Sequence, residues 1–349
     1  MTETRKQAWV KDLVETPAGT VPLVRTTLGA GDRLRNALVR LGFGRDRYAV
    51  PPGLYGVGSP DEESPVLVTS NYKLTFDALR KELAGIACWI LVLDTRGINV
   101  WCAAGKRTFS TGELVDRMAA VRLKDLVRHR TLVLPQLGAP GMSAHLVRRE
   151  TGFRVVYGPV RACDVPAFLR GGMKKDEAMR TVRFSLKDRL VLVPVELAFA
   201  VVVLLAGFIL VTAADWVAYG SLTLGAPARD FIPFLGAVLV GCVVVPLLLP
   251  LVPGRSFAVK GLAAGIVYAA VINAVFHPSL LDRVTTSILI LTTSSLFALF
   301  FTGSTTFTSV SGVRREVRIA FPVLVPLLAA SILTGLVSKL VTVRHLFMR

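Results

Sequence analysis

The stretch IACWILVLD, residues 86–94, is a short apolar run that ends in an acidic residue. Such a run is typical of a strand that is buried on both faces of a parallel sheet. Downstream, residues 111–121 and 142–150 show apolar positions at helical spacing, and residues 131–134 and 153–157 are two more short apolar stretches. Because strands alternate with helices, we predict an α/β fold with a parallel, doubly wound sheet.

The loops that follow the predicted strands are the places where a site is expected, because open α/β sheets bind ligands outside the carboxyl ends of their strands. The first of these loops holds the octapeptide NVWCAAGK, residues 99–106, in which Cys102 lies beyond the strand end at Asp94. The two alanines that follow the cysteine favour a short helix, which Gly105 would end. A thiolate is a soft metal ligand, although a cysteine beside a tryptophan is more often a core residue.

Glycines mark the other two loops. Gly138 and Gly141 follow the second strand, and Gly158 follows the third. Glycine lets a backbone approach a ligand closely, but a plain strand-to-helix turn explains these positions equally well. Upstream of the sheet, residues 51–65 are rich in proline, glycine and acids, and we interpret them as a linker or a long loop. The four cysteines do not cluster, so we expect no iron–sulfur cluster in this chain.

The composition points to a membrane. Hydrophobic residues make up 52% of the chain, charged residues only 19%, and the formal net charge is +17. A soluble chain carries about 25% charged residues, so membrane insertion is favoured over nucleic-acid binding, and disordered, collagen-like and disulfide-scaffold classes are excluded. No apolar run opens the chain, so we expect no signal peptide. Five apolar stretches are candidates for bilayer spans, at about 190–214, 231–252, 261–277, 284–303 and 319–343.

The distribution of Lys and Arg predicts the orientation of these spans. Positive charges concentrate before the first span and in the loops after the second and fourth. This pattern predicts a multi-pass protein of the cytoplasmic (inner) membrane, with residues 1–189 in the cytoplasm and the C-terminus outside. Glu196 and Lys339 fall within the first and last spans, where charge is a functional hypothesis by default. Both lie near enough to a span end for snorkelling to explain them.

The octapeptide resembles the signature of HgcA, the family of membrane-bound corrinoid proteins of microbial mercury methylation. That signature is Asn, Val or Ile, Trp, Cys, Ala, Ala or Gly, Gly, Lys, and every position of it is filled here. Other stretches look like HgcA and its relative, the large subunit of the corrinoid iron–sulfur protein, whose iron–sulfur motif is absent here. These stretches are PVLVTSNYKLTFD at 65–77, GKRTFST at 105–111, LPQLGAPG at 134–141, VVYGPVR at 155–161 and, before the last span, TGSTTFTSVSGV at 302–313.

The resemblance implies a Rossmann-like corrinoid-binding domain with a parallel sheet, followed by an all-α transmembrane domain of five spans. Its parts would be a basic N-terminal region and linker at 1–64, the corrinoid-binding domain at 65–170, a basic juxtamembrane linker at 171–189 and the transmembrane domain at 190–349.

The resemblance also implies a site. Residues 99–106 would form a cap helix under the corrin ring, with Cys102 as the catalytic residue and the lower axial ligand of cobalt. The cofactor would be base-off, because the usual cobalamin-binding signature D-x-H-x-x-G is absent. The other residues expected to contact the cofactor are Tyr72, Thr75, Asn99, Val100, Trp101, Ala103, Ala104, Gly105, Lys106, Thr108, Thr111, Gly138, Gly141 and Gly158.

The activity implied is transfer of a methyl group to Hg(II), giving methylmercury, from methyl-cobalt(III) ligated below by the cysteine thiolate. The implied partners are a ferredoxin-like HgcB protein with two 4Fe–4S clusters, a methyl-folate-dependent methyl donor protein and the lipid bilayer; no motif points to nucleic acid. Two alternatives stay open: a membrane-anchored corrinoid methyl carrier for another acceptor, and a non-catalytic corrinoid-binding module. A transporter is disfavoured, because the spans carry few charges and their prolines lie near span ends.

Overall fold

The computed structural model describes residues 7–219, 225–252, 254–276, 279–305 and 307–347. The chain forms two compact units that divide after Val182. Residue 277 of the third predicted span and the chain ends at 1–6 and 348–349 lie outside the described residues.

The first unit is built on a seven-stranded sheet. Its strands are β1 Val10–Thr16, β2 Gly19–Val24, β3 Gly53–Val57, β4 Val66–Ser70, β5 Cys88–Leu93, β6 Thr131–Leu134 and β7 Arg154–Tyr157. Their order across the sheet is β1-β2-β3-β5-β4-β6-β7. Strands β4 to β7 run parallel, whereas β3 is antiparallel to β5 and β1 is antiparallel to β2. The prediction of a parallel sheet is therefore corrected: the sheet is mixed, because β4 to β7 are parallel and β2 pairs parallel with β3, while β1–β2 and β3–β5 are antiparallel pairs.

Helices cover both faces of this sheet. Helix α2 joins β4 to β5, and its Phe76 shares one core with Ile90 of β5. Helices α4 and α6 place Leu114 and Val147 in a second core with Leu91 of β5. Alternate residues of β5 thus face different cores, as strand geometry requires, and the doubly wound arrangement is confirmed. The helices of this unit are α1 Ala30–Arg40, α2 Lys73–Arg80, α3 Val100–Gly105, α4 Thr111–Ala120, α5 Leu123–Leu126, α6 Ala144–Thr151, α7 Val165–Arg170 and α8 Glu177–Arg180.

The interpretation of residues 51–65 as a linker or loop is wrong, because β3 lies within them and pairs with β5 along its whole length. Tyr55 of β3 is buried and its ring contacts Trp9. Proline and glycine around β3 suggested a loop, yet Gly56 has a packing reason: a Cβ there would lie 2.6 Å from the Leu23 side chain on β2. The folded unit therefore includes strands that precede residue 65, and the start of corrinoid binding at 65 stays a prediction.

A buried ion cluster attaches α1 to α2. Lys73 contacts Asp32 at 3.1 Å and Asp77 at 2.6 Å, while Arg80 contacts the same two carboxylates at 2.7 and 2.6 Å. Asp77 and Arg80 are 1% and 0% exposed. Buried charges are tolerated when each has its partners, and here both cations bridge both acids. Residues 7–50, which showed little pattern in the sequence, are thus fixed to the helix that follows β4.

The second unit is helical. Its helices are α9 Leu186–Leu190, α10 Val193–Tyr219, α11 Gly225–Leu239, α12 Val245–Leu247, α13 Phe257–Phe276, α14 Leu280–Phe300 and α15 Val310–Phe347. Among the residues that the structure describes, five segments are long and apolar enough to cross a membrane, namely Leu186–Val217, Asp230–Leu247, Phe257–Phe276, Leu280–Ser304 and Ser311–Lys339. They match the five predicted spans in number and order. The third span, predicted at 261–277, begins earlier, at Phe257, and is a helix of 20 residues.

Small residues let α13 and α14 pack closely. A Cβ at Gly261 of α13 would lie 2.6 Å from the Cα of Ser295 on α14. Ser294 donates a hydrogen bond to the carbonyl of Gly261 at 3.0 Å and another within α14 to Ile290 at 2.8 Å. Close helix contact through glycine and serine is the packing mode typical of apolar spans, where no hydrophobic force drives helices together.

Glu196 and Lys339, the two charged residues that the sequence places within spans, have partners. Lys339 forms ion pairs with Asp215 and, at 2.6 Å, with Asp230. The Ser304 hydroxyl donates a hydrogen bond of 2.9 Å to Glu196. The sequence drew attention to Glu196 and Lys339 and attributed both to snorkelling. For Lys339 the structure adds a more specific reason, because its ammonium group joins α15 to Asp215 of α10, which is 3% exposed.

Candidate functional site

The parallel part of the sheet creates a crevice between β4 and β6. The chain leaves β4 for β5 on one side and then crosses to β6 on the other side of β4. This reversal of winding direction is the point at which open α/β sheets bind ligands, outside the carboxyl ends of the strands. The loops that follow β4, β5 and β6 therefore form the edge where the predicted site residues should meet.

The octapeptide folds as expected into a short helix, α3. The Asn99 side chain caps it by accepting a hydrogen bond of 2.9 Å from the backbone N–H of Cys102, and the helix ends at Gly105. Its inner side buries Val100 and both alanines. Trp101, which is 41% exposed, lies on its surface, and Cys102 is half-buried.

A buried asparagine holds the loop that leads into α3. Asn71, 5% exposed at the end of β4, accepts hydrogen bonds from the backbone N–H of Thr95 at 3.1 Å, the hydroxyl of Thr95 at 2.8 Å and the backbone N–H of Gly97 at 2.9 Å. The Thr95 hydroxyl also lies 2.6 Å from the carbonyl oxygen of Ile98, so its single proton is shared between the Ile98 and Asn71 oxygens. These contacts fix the path of the chain just before Asn99. The sequence interpretation missed Asn71 and Thr95; the only signal was a polar residue directly after an apolar strand.

Two of the predicted site glycines serve packing beneath α3. A Cβ at Gly138 would lie 2.5 Å from the ring of Phe109. At Gly141 a Cβ would overlap the carbonyl oxygen of Phe109 and lie 3.1 Å from the Cα of Ala104. Phe109 itself is fully buried. Glycine is therefore needed at both positions for the turn after β6 to approach α3, and contact of either glycine with a cofactor stays a prediction.

The turn between α3 and α4 is also fixed by hydrogen bonds. The Thr108 hydroxyl donates to the carbonyl of Ala103 at 3.4 Å. The Thr111 hydroxyl accepts a hydrogen bond of 2.8 Å from the backbone N–H of Ser143, which precedes α6. Ser110 caps α4 by accepting a hydrogen bond of 3.3 Å from the backbone N–H of Glu113. The structure thus brings the turn at Thr108 and Thr111 and the loop after β6 together around α3.

The remaining predicted residues lie elsewhere. Tyr72 is 5% exposed and packs against Val39 and Tyr48 of the amino-terminal segment, and Thr75 follows on α2, half-buried. Burial raises the pKa of the Tyr72 hydroxyl, although the nearby Arg45 works in the opposite direction. A Cβ at Gly158, after β7, would lie 3.1 Å from a methyl group of Val133. A role for Tyr72, Thr75 or Gly158 in cofactor binding stays a prediction.

The other cysteines have different surroundings. Cys88 lies inside β5 and Cys242 inside the helical unit, and both are buried, as expected for packing residues. Burial raises the pKa of the Cys88 thiol to about 12. Cys163 is exposed as a residue. Partial desolvation of its thiol, together with the negative charge of Asp164, raises the pKa of that thiol. Within the described residues, no group of three or more His, Cys, Asp or Glu side chains is placed to hold a metal ion.

A corrinoid requires one axial donor and room for a broad ring. Cys102 supplies a soft donor on the outer side of α3, and a Cβ at Gly105 would meet nothing within 4 Å, so the space beside the helix is open. Beneath the helix, the buried Ser70 hydroxyl at the end of β4 has no hydrogen-bond partner among the described residues. It points to the α3 side of the sheet, because Val66 and Val68 do so. The donor, the open face and the unpaired hydroxyl fit such a group.

Comparisons with known proteins match the part of the chain that contains the sheet edge and α3. Residues 44–169 match the family model of the CO dehydrogenase/acetyl-CoA synthase delta subunit. The acetyl-CoA decarbonylase/synthase complex subunit gamma of Methanopyrus kandleri is 40% identical over 128 residues, 36% of this chain and 27% of that protein. The Methanocaldococcus jannaschii subunit gamma is 35% identical over 136 residues, 38% of this chain and 27% of that protein. Subunit gamma 2 of Methanosarcina thermophila is 35% identical over 131 residues, which are 36% of this chain and 27% of that protein.

The match covers the sheet from β3 to β7 and every loop around α3, and it leaves out β1, β2, α1 and the helical unit. The chain spans 27% of the length of these relatives. The broader of the two resemblances found in the sequence, to the corrinoid iron–sulfur protein family, is thereby supported for residues 44–169.

Proposed function

We propose that this protein is a corrinoid-dependent methyltransferase that transfers a methyl group to Hg(II), giving methylmercury. The observation that carries the proposal is the position of Cys102: it lies half-buried on α3, over the carboxyl edge of the parallel strands, within a filled HgcA signature. Support for a methyl carrier in general comes from the match of residues 44–169 to the CO dehydrogenase/acetyl-CoA synthase delta subunit family.

The residues of the site would act through placement and donation. When bound, a base-off corrinoid supplies the cobalt that accepts and releases the methyl group. Cys102 would hold the cobalt through its thiolate, a soft, electron-donating ligand that would suit methyl transfer to an electrophile such as Hg(II). Asn99 would hold Cys102 in place through its 2.9 Å hydrogen bond. Trp101 would offer an exposed apolar surface beside the ring.

The proposal includes partners and a place in the cell. A methyl-folate-dependent protein would supply the methyl group, and a ferredoxin-like HgcB protein with two 4Fe–4S clusters would supply low-potential electrons. The five candidate membrane helices would anchor the chain in the cytoplasmic membrane, with the first unit in the cytoplasm and the C-terminus outside, as the distribution of Lys and Arg favours.

A methyl carrier for a different acceptor is the second candidate. The relatives with up to 40% identity are named as subunits of an acetyl-CoA decarbonylase/synthase complex, which favours methyl transfer in general without favouring mercury. In this case Cys102 would have the same role as axial ligand, and only the acceptor would differ.

The test is methylmercury formation from Hg(II) in anaerobic cells that express the full chain with a ferredoxin-like protein carrying two 4Fe–4S clusters. Loss of a residue that only hydrogen-bonds to a metal ligand typically lowers activity by roughly 10- to 100-fold. Cys102→Ala removes the proposed ligand itself and should lower the yield of methylmercury by more than that. Cys163→Ala is the matched control, because Cys163 is exposed in the same unit, and it should keep full activity.

The absorption spectrum of the purified protein separates the two candidates. A corrinoid spectrum that changes in Cys102→Ala, together with methylmercury from the unaltered chain, supports the proposal. The same spectral change without methylmercury would favour the carrier for another acceptor. A spectrum that is identical in Cys102→Ala and the unaltered chain would exclude Cys102 as the axial ligand.

A further inference from the structure

An arginine-lined cavity lies at the beginning of α15. Its volume is about 690 Å³, and its lining combines two hydroxyl groups, three guanidinium groups and one aliphatic side chain. The residues are Ser309, Ser311, Arg314, Arg315, Arg318 and Ile319. No carboxylate is part of this lining, so the cavity is strongly positive.

Helix geometry brings the cationic side chains to one side. The three arginines follow Ser311 by three, four and seven positions, at 314, 315 and 318. This spacing places all four side chains on a common face of α15. Glu316, the acidic residue among these arginines, is not part of the cavity lining. Its carboxylate accepts hydrogen bonds from the Ser256 hydroxyl at 2.7 Å and from the backbone N–H of Ala258, at the start of α13, at 2.8 Å.

The three arginines are not compensated by acids. Among residues 307–347 and the other parts of the chain that the structure describes, no ion pair is formed by Arg314, Arg315 or Arg318. Arg314 and Arg318 are also like charges four positions apart, which repel each other. All three lie near the amino-terminal end of a 38-residue helix. A bound anion would relieve the repulsion between these like charges.

The neighbouring surface is apolar. Directly after the arginines, α15 presents Ile319, Phe321 and Val323, which are 63%, 43% and 55% exposed. A ligand that combines a phosphate with hydrocarbon chains would match this succession of guanidinium groups and exposed apolar side chains. Arginine binds phosphate oxygens through two parallel hydrogen bonds. The hydroxyls of Ser309 and Ser311 are hydrogen-bonded to each other at 3.0 Å, which leaves one of their two protons to donate at the same cavity.

We propose that this cavity binds the phosphate of an anionic phospholipid, with the acyl chains along the apolar surface of α15. The inference rests on the proposed membrane insertion of the five helices and is independent of the corrinoid site. Positive charge in a cytoplasmic loop would be enough to orient the protein, but orientation does not require three guanidinium groups on one face around a common cavity. Basic pockets at membrane helices are typical binding sites for anionic head groups.

The experiment measures thermal unfolding of the full chain in a neutral detergent, with added phosphatidylglycerol or phosphatidylcholine. Phosphatidylglycerol should raise the unfolding temperature of the second unit, and phosphatidylcholine should not. In the double variant Arg314→Gln/Arg318→Gln, the apparent affinity for phosphatidylglycerol should fall roughly tenfold or more, since two charge-assisted contacts are lost. Arg283→Gln, an exposed arginine at the start of α14, is the matched control and should respond like the unaltered chain.

Two further arms complete the test. Arg314→Lys/Arg318→Lys keeps the charge and should restore part of the response, and equal unfolding temperatures in phosphatidylcholine show that the variants are folded. Inorganic phosphate alone should give little stabilisation at concentrations where phosphatidylglycerol acts. Full stabilisation by inorganic phosphate would overturn the lipid assignment. An equal response to both lipids, or an equal loss in Arg283→Gln, would overturn the site itself.

Discussion

Cys102 owes its position to one residue of the octapeptide, Asn99, and to one outside it, Asn71. Asn71 binds the loop ahead of α3 through three donors, and Asn99 caps the helix directly beneath the cysteine. Because Asn71 is at the end of β4, its hydrogen bonds fix the position of Cys102 relative to the sheet and not only relative to its own loop. A site held in this way can keep a donor at a fixed height over the strand ends while its outer side stays open.

Gly141 gives a sharp prediction at this scale. In Gly141→Ala, the new Cβ would overlap the Phe109 carbonyl and press on Ala104, so we expect a loss of about 1–3 kcal/mol in the free energy of unfolding, the usual cost of overpacking. Gly112→Ala is the matched control, since a Cβ there meets nothing within 4 Å, and it should stabilise α4 by up to about 1 kcal/mol. Chemical denaturation of the first unit measures both. Equal stability of the two variants would contradict the packing role of Gly141.

Helix α1 shows how an element without a clear sequence pattern is held by electrostatics. Burial by itself raises the pKa of Asp32, but the hydrogen bonds and positive charges of Arg80 and Lys73 outweigh burial and hold that pKa below its usual range. Since the pKa is lower in the folded protein, the ionised carboxylate stabilises it. This contribution is fully present above the unfolded pKa of about 3.9 and is lost as the pH falls through the lower folded value.

Asp32→Asn tests this attachment of α1. At neutral pH the variant should unfold at a lower temperature than the unaltered chain. The difference should begin to shrink below about pH 4, where Asp32 of the unfolded chain takes up a proton, and should be lost as the pH falls through the lower pKa of the folded protein. Asp116→Asn, at an exposed position on α4, should change little at either pH. Thermal unfolding followed by tryptophan fluorescence is suitable, because the Trp9 ring lies 5.7 Å from the Lys73 ammonium. A difference that stays constant down to pH 3 would show that Asp32 acts through packing alone.

On the scale of the whole molecule, each unit contains its own hydrophobic cores. Both cores of the sheet consist of residues between Trp9 and Met179, whereas the clusters among the helices begin at Phe184. We therefore expect residues 1–182, expressed alone, to fold into a domain that unfolds cooperatively in aqueous buffer. Residues 183–349 should fractionate with membranes.

The matched control is a fragment of residues 65–182, which begins at the predicted start of the corrinoid-binding domain. Without β1 to β3 it would leave the edge of β5 unpaired and remove Tyr55 and Trp9 from one core. We expect this fragment to aggregate, as exposed apolar strand edges promote. Circular dichroism during heating compares the two fragments. Cooperative unfolding of residues 65–182 would show that the amino-terminal strands are dispensable for the fold.

The sequence by itself determined the features that depend on neighbouring residues. The apolar run at 86–94 located β5, the runs at 131–134 and 153–157 located β6 and β7, and long apolar stretches located five helices. The octapeptide predicted the short helix that carries Cys102. These features follow from local periodicity, capping residues and hydropathy, which can be read within a few turns of the chain.

Only the tertiary structure decided what depends on distant partners. β3 is a strand because β5 pairs with it, although its two glycines and the prolines just before it indicate a loop. Gly141 must be glycine because Phe109 lies against it, and Asn71 matters because Thr95 and Gly97 donate to it. No local pattern encodes such contacts, since the free energy of each arises from groups that meet only when the sheet has formed.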